Sequence, residues 1–321
     1  MSDSPAGVER VPAPALFLTS GISMYYGAAL AVALFAVSSP LAVGWSRLAV
    51  AAVVLLALTR PWQLAWTRRT LGAAALFGLV LGAMNLLFYV AIDHLPLGAA
   101  VAIEFTGPVA VAVASDRSGW SRRRIAAALL AAGGVTTISL GEVEWGTATS
   151  SPTGILAALG AGAAWAGYIV LGRRISARAV SAHAGAPGGA ASAGAAPTGG
   201  LRGVGPIRIG LASLAIAMTT AALAYAVVGL PDARGLADGW GRVGLVLVVA
   251  VLSSVVPYAL DQIAMRRLST SAFALLNALL PATATLVGFI SLQQLPTWGE
   301  VVGVVAISTA VALTTRASRT G

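Results

Sequence analysis

The sequence predicts an all-α polytopic membrane protein with ten transmembrane helices, arranged as two inverted five-helix repeats. Three observations lead there. Of 321 residues, 58% are hydrophobic and only 10% are charged, where a soluble domain carries about 25% charged residues. The apolar residues fall in runs long enough for a helix of roughly 20 residues to cross a bilayer, and too continuous for the alternating strands of a barrel. The cations gather in every second connection, as the positive-inside rule requires.

In chain order, a polar lead (1–13) precedes spans at 14–37, 40–58, 71–92, 97–115, 125–140, 153–171, 207–228, 243–264, 271–292 and 298–314, and a tail follows at 315–321. The first span is read as a retained helix because no convincing cleavage site follows it; a cleaved signal is the alternative. Arg60, Arg68 and Arg69 follow the second span, and Arg117 and Arg122 to Arg124 follow the fourth, against one Asp116. Arg173, Arg174, Arg178, Arg202 and Arg208 follow the sixth, Arg266 and Arg267 the eighth, and Arg316 and Arg319 the tenth. The other loops carry Asp93, Glu142, Glu144, Asp232, Asp238 and Glu300, with only Arg234 and Arg242 as cations. This alternation places both termini in the cytoplasm and the protein in a bacterial inner membrane. It also accounts for the net charge of +9 without nucleic-acid binding.

The longest connection, 172–206, has an Ala/Gly/Pro/Ser-rich middle, HAGAPGGAASAGAAPTGG, and reads as a flexible cytoplasmic linker, with a regulatory loop as the alternative. The repeats occupy 14–140 and 153–314. Phe88-Tyr89 followed by Pro108 parallels Pro257-Tyr258 followed by Pro281, and the Trp120 and Trp298 segments follow in the same order. An odd number of spans per repeat forces opposite orientations, a construction that puts a transporter's site near midplane.

Cysteine is absent, and His94 and His183 fall in predicted loops. No metal site, cofactor, thiol nucleophile or enzyme signature is expected. Ionisable residues inside spans carry the functional signal, because a charge near the bilayer centre is costly unless it faces protein, water or a partner. Glu104 lies about seven residues into the fourth span, roughly 10 Å deep at 1.5 Å per residue, and Arg47 lies at nearly the same depth in the second. An Arg47–Glu104 contact is expected, either as a substrate or proton site or as a structural ion pair. Pro108 cannot donate to the carbonyl of Glu104, nor Pro281 to that of Asn277, so EFTGP and NALLP mark helix breaks at matching places. Prolines whose neighbours simply re-satisfy the freed carbonyls are the plainer reading. Asn85 with Tyr89, and Trp165 with Tyr168, share helix faces that either line a cavity or anchor the interface. Asp261 reads as a local ion pair with Arg266 or Arg267, or as a gate.

The segments GWSRLAVAA around Arg47, GAMNLLFYVAIDHLPLGAAVAIEFTGPVAVAV, GAGAAWAGYIVLGRR and VVPYALDQIAMRRLSTSAF resemble the EamA-type transporters of the drug/metabolite transporter superfamily. The resemblance spans nearly the whole chain apart from the ends and the 180–205 linker, and PLGAAVAIEFTGP at 96–108 is its specific part. It implies export of small amino acids, threonine- or homoserine-like, or of related metabolites, in exchange for protons. Glu104 would then bind the proton or the substrate amine, and Arg47 the carboxylate. Asn85, Tyr89, Trp165, Tyr168 and Asn277 would line the site, with Asp261 and Tyr258 as a gate. Against the family pattern, Leu280 and Gln294 replace acids, Asp261 replaces Glu, and Val32 replaces Lys. With Asn277 standing where the first repeat has Glu104, the first half is expected to carry the protonation step. A non-transporting subunit or sensor on the same fold, or an exporter of another metabolite or a drug, is the alternative function.

Overall fold

The computed structural model describes residues 11–114, 122–143, 152–182, 206–267 and 276–316. Every regular element among them is helical. α1 (Ala13–Val32) continues through a 3-10 turn at Ala33–Ala36. α2 (Pro40–Thr59) starts on Ser39, whose hydroxyl accepts from the Ala42 N–H at 3.3 Å, with proline in the first turn. α3 (Arg68–His94) starts on a reciprocal box between Thr67 and Thr70. α4 (Leu97–Glu104) and α5 (Thr106–Ala114) are one span broken at Phe105. α6 (Arg122–Val143), α7 (Pro152–Ala182) and α8 (Pro206–Ala224) follow. α9 (Trp240–Ala250) passes through a π turn (Val251–Val255) into α10 (Val256–Arg267). α11 (Leu280–Leu292) and α12 (Trp298–Arg316) complete the chain.

Among the described residues six helical stretches are long and apolar enough to cross a membrane: Ala13–Ala36, Pro40–Gln63, Arg68–His94, Leu97–Ala114, Pro152–Leu171 and Trp240–Asp261. Four shorter apolar ones lie at Ile125–Ile138, Arg208–Ala224, Leu280–Leu292 and Trp298–Leu313. Large apolar side chains such as Leu58, Leu129, Leu156 and Leu223 point outward, a surface suited to lipid rather than water. The chain is an all-α polytopic membrane protein. Helix ends fall within a few residues of the expected spans, with three differences. The span expected at 271–292 runs as α11 only from Leu280, after a break at 278–279, and residues 271–275 lie outside the described ones. α7 runs on to Ala182, past the expected start of the linker, and residues 183–205 of that linker lie outside the described ones. His94, expected in a loop, is the last residue of α3, where its Nδ1 meets the Val90 carbonyl at 3.0 Å.

The packing follows a pattern. α1 lies along α10 and α11, and α7 lies along α3 and the α4–α5 span. α2 packs on α8, α4 on α11, and α6 on α12. The α6–α12 contact is reciprocal. A Cβ on Gly134 would sit 2.9 Å from the Gly303 carbonyl, and one on Gly303 would sit 2.7 Å from the Gly134 carbonyl. Only glycine lets the two backbones approach so closely. α11 ends on Gln293 in the left-handed region (φ 54°), which turns Gln294 back toward α4. Gln294 Oε1 then accepts from the Leu97 N–H at 3.0 Å and caps α4 from the other half of the chain.

Candidate functional site

The polar residues that the sequence buries converge between α1, α2, α3, α4 and the α9–α10 span. Arg47, 4% exposed, reaches from α2 to two other helices. Its Nη1 donates to the Ser253 carbonyl at 3.2 Å and to Ser253 Oγ at 3.3 Å. Its Nη2 donates to Asn85 Oδ1. The guanidinium carbon lies 5.0 Å from the centre of the Tyr89 ring, a cation–π contact. Asn85 is held in turn, because its amide donates to the Leu81 carbonyl at 2.7 Å. Every acceptor on Arg47 is therefore neutral, and its Nε has no partner among the described residues.

The Ser253 carbonyl is available for a covalent reason. Pro257 sits four residues on and has no N–H to give it. The π turn widens the helix at the same place, and Ser253 Oγ donates back to Val249 at 2.6 Å. α1 supports the irregular segment: Ser23 Oγ donates to the Leu252 carbonyl at 2.8 Å and Ser20 Oγ to the Pro257 carbonyl at 3.1 Å. Gly27 makes room for it, since a Cβ there would stand 2.8 Å from the Ser253 N.

Glu104, 8% exposed, sits at the C-terminus of α4, just before the break. Its carboxylate has neither a hydrogen bond nor an ion pair among the described residues. The expected Arg47–Glu104 contact is thus not formed. Equal depth fixes a residue's height but not the direction in which its helix turns it, and Arg47 is turned toward α3 and α9. The Glu104 carbonyl freed by Pro108 also differs from expectation. It lies against α7, 2.7 Å from where a Cβ on Gly162 would be.

The other expected residues divide. Tyr89 is fully buried under Arg47. Tyr258, on α10, feels the charges of Arg47, Asp261 and Glu104 and lies beside Asn85. Trp165 stacks edge-on against Phe105 at 4.6 Å, beside the α4–α5 break. Tyr168 packs on Phe77 at 4.1 Å, with Tyr258 and Asp261 as its electrostatic neighbours. Asp261 lies beside Ser20, and its Oδ1 is buried without a hydrogen-bond partner among the described residues. It has no ion pair with Arg267, whose Nη1 donates to the Val11 carbonyl, while the Arg266 side chain lies outside those described. Asn277 is partly buried on the turn before Pro281, on the far side of a break at 278–279. Among the described residues no group of three or more His, Asp or Glu could hold a metal ion.

Sequence reasoning missed Ser253, Ser20, Ser23 and Tyr25, the last a buried tyrosine subject to the charges of both Glu104 and Asp261. A signal for Ser253 was present. SSVVP at 253–257 repeats the polar-x-x-x-Pro spacing of EFTGP and NALLP.

The model of the EamA-like transporter family matches residues 184–316. The threonine/homoserine exporter RhtA of Salmonella typhimurium LT2 is 34% identical over 306 residues, covering 94% of this chain and 92% of its own. RhtA of Escherichia coli K12 is 33% identical over 279 residues, covering 87% and 83%. One crystal structure, 17% identical, superposes with a TM-score of 0.55 over 95% of this chain and 97% of its own, which shows a shared fold. With relatives at this identity along nearly its whole length, the chain belongs to the EamA-like transporter family, a family of transporters and not of enzymes.

Proposed function

We propose that the protein exports small α-amino acids, of the threonine and homoserine kind, across the inner membrane in exchange for protons. One observation carries this reading. A buried guanidinium on α2 and a buried carboxylate on α4 act on each other electrostatically but are not paired with each other. A buried charge without an opposite charge is costly, and a zwitterion placed between the two would relieve both. Arg47 takes the substrate carboxylate, for which a planar guanidinium is suited. Glu104 takes the ammonium group or, once the substrate has left, a proton. Asn85, Tyr89, Trp165, Tyr168 and Asn277 line the path, and Asp261 and Tyr258 form a gate on the Arg-rich side. The names of the relatives support the substrate class.

The same reading takes the fold as ten spans in two inverted five-helix repeats, with both termini cytoplasmic. Exchanging the halves maps the α1 packing on α10 and α11 onto the α7 packing on α3 and the α4–α5 span, and the α2–α8, α4–α11 and α6–α12 contacts onto themselves. The reciprocal Gly134–Gly303 contact fits a two-fold axis, and the family model covers only the second half. Rocking of one repeat against the other would then expose the site to each side alternately. Proteoliposomes preloaded with labelled threonine test the reading. Efflux is expected to accelerate when protons can flow in exchange, and threonine efflux no faster than from empty liposomes would overturn it.

A further inference from the structure

The guanidinium that the proposed function assigns to a substrate carboxylate is already occupied. One of its charge-assisted partners is the backbone oxygen of Ser253, inside the only π turn among the described residues. In α register its donor would be the N–H of Pro257, which is missing. We propose that the Ser253 carbonyl is a resident stand-in for the substrate carboxylate, so that substrate binding at Arg47 releases the α9–α10 joint. This rests on the reading of Arg47 given above and adds a moving part to it.

The geometry supports the exchange. Two acceptors on Ser253 share Nη1, at 3.2 and 3.3 Å, whereas a bidentate carboxylate offers two charged oxygens in a geometry that fits the guanidinium fork. A carboxylate therefore outcompetes a carbonyl and a hydroxyl. Ser253 Oγ keeps its own bond to Val249, so release of Arg47 does not orphan the hydroxyl. The carbonyl, once released, has no α-register donor to return to, because Pro257 lacks an N–H. The segment can then change only by shifting as a unit against α1, which holds it through Ser20 and Ser23 and gives it room at Gly27. The joint lies between α9 and α10, so its movement carries Tyr258 and Asp261 with it. A carboxylate on Arg47 is in this way connected to the gate side of the same span. Ser253 and Pro257 act as positioning residues, through Arg47 and not on the substrate.

Pro257→Ala restores an N–H that can take the Ser253 carbonyl and withdraw it from Arg47. The test compares threonine with threoninol, the amine alcohol that lacks the carboxylate, as competitors of labelled threonine counterflow. In Pro257→Ala the inhibition constant of threonine is expected to fall about tenfold, the scale of one hydrogen bond to a charged group, with threoninol unchanged. Turnover is expected to fall as well, because the joint is no longer reset. A threonine-to-threoninol ratio equal to wild type would overturn the proposal. Hydrogen exchange on the wild-type protein gives a second measurement that needs no variant. Saturating threonine should speed exchange of the 250–260 amides and threoninol should not, and equal protection with both would overturn it. Wild-type protein that shows no threonine counterflow would instead defeat the proposed function, so the two failures are distinguishable.

Discussion

The two charged corners of the site are built in opposite ways. Arg47 is held on Ser253 and Asn85 and sits over the Tyr89 ring. Glu104, in α4, has no hydrogen-bond partner among the described residues. A guanidinium stays charged at any working pH, so it must be solvated by protein dipoles wherever it is buried. A carboxylate can instead shed its charge by taking a proton. On the proposed function, Arg47 is then a preorganised anion receptor, and Glu104 a cation and proton receptor left open to titrate. On that reading, geometry falls to one side of the site and coupling to the other.

Removing the organised corner should have the largest effect. Arg47→Ala strands the Asn85 oxygen and the Ser253 carbonyl and deletes the anion receptor, so counterflow of threonine is expected to fall at least 100-fold, about 3 kcal/mol. Arg47→Lys is not expected to rescue it, because one ammonium cannot span Ser253 and Asn85 as the fork does. Glu104→Gln keeps the shape and removes the titration. Its proton-driven transport is expected to fall about 30-fold, and the residual rate should no longer vary with pH. Residual transport with the wild-type pH profile would erase the contrast between the corners.

Smaller changes sharpen it. Gly162→Val pushes against the Glu104 carbonyl and displaces the open corner without altering a charge. Overpacking of this kind costs about 1–3 kcal/mol and should lower the midpoint of thermal unfolding in detergent. Asn85→Ala removes one of the two side-chain partners of Arg47 and should raise the KM for threonine about tenfold with little change in folding. Gln294→Ala removes only the cap on α4, about 1 kcal/mol of stability by the scale of helix caps, and should leave transport within twofold of wild type. If Gln294→Ala damaged transport as much as Asn85→Ala, the site would extend to the opposite end of α4.

Much of this was legible in the sequence, and the reasons are specific. The polytopic, all-α character was readable because several apolar runs are long enough to cross a bilayer. Arg47 and Glu104 stood out because ionisable residues are rare at that depth. Their separation was not legible. Sequence position gives depth at 1.5 Å per residue, but rotation about the helix axis depends on neighbours, here Gly27 and Gly162. Ser253 escaped notice because serine is ordinary in a membrane helix, and only its spacing from Pro257 carried information. The Glu104 carbonyl, four residues before Pro108, packs closely on Gly162, whereas the equivalent oxygen at Ser253 holds Arg47. One sequence pattern thus serves two purposes, and the partner helix decides which.

The most direct test of two separate charged receptors is a competition series in wild-type proteoliposomes carrying out labelled threonine counterflow. The competitors are threonine, threoninol, which lacks the carboxylate, and 2,3-dihydroxybutyrate, which lacks the amine. Threonine is expected to compete at least tenfold better than either analogue, because each analogue leaves one buried charge unmet. An analogue that competed as well as threonine would show that its missing group is not recognised, and the assignment of Arg47 or Glu104 would be wrong.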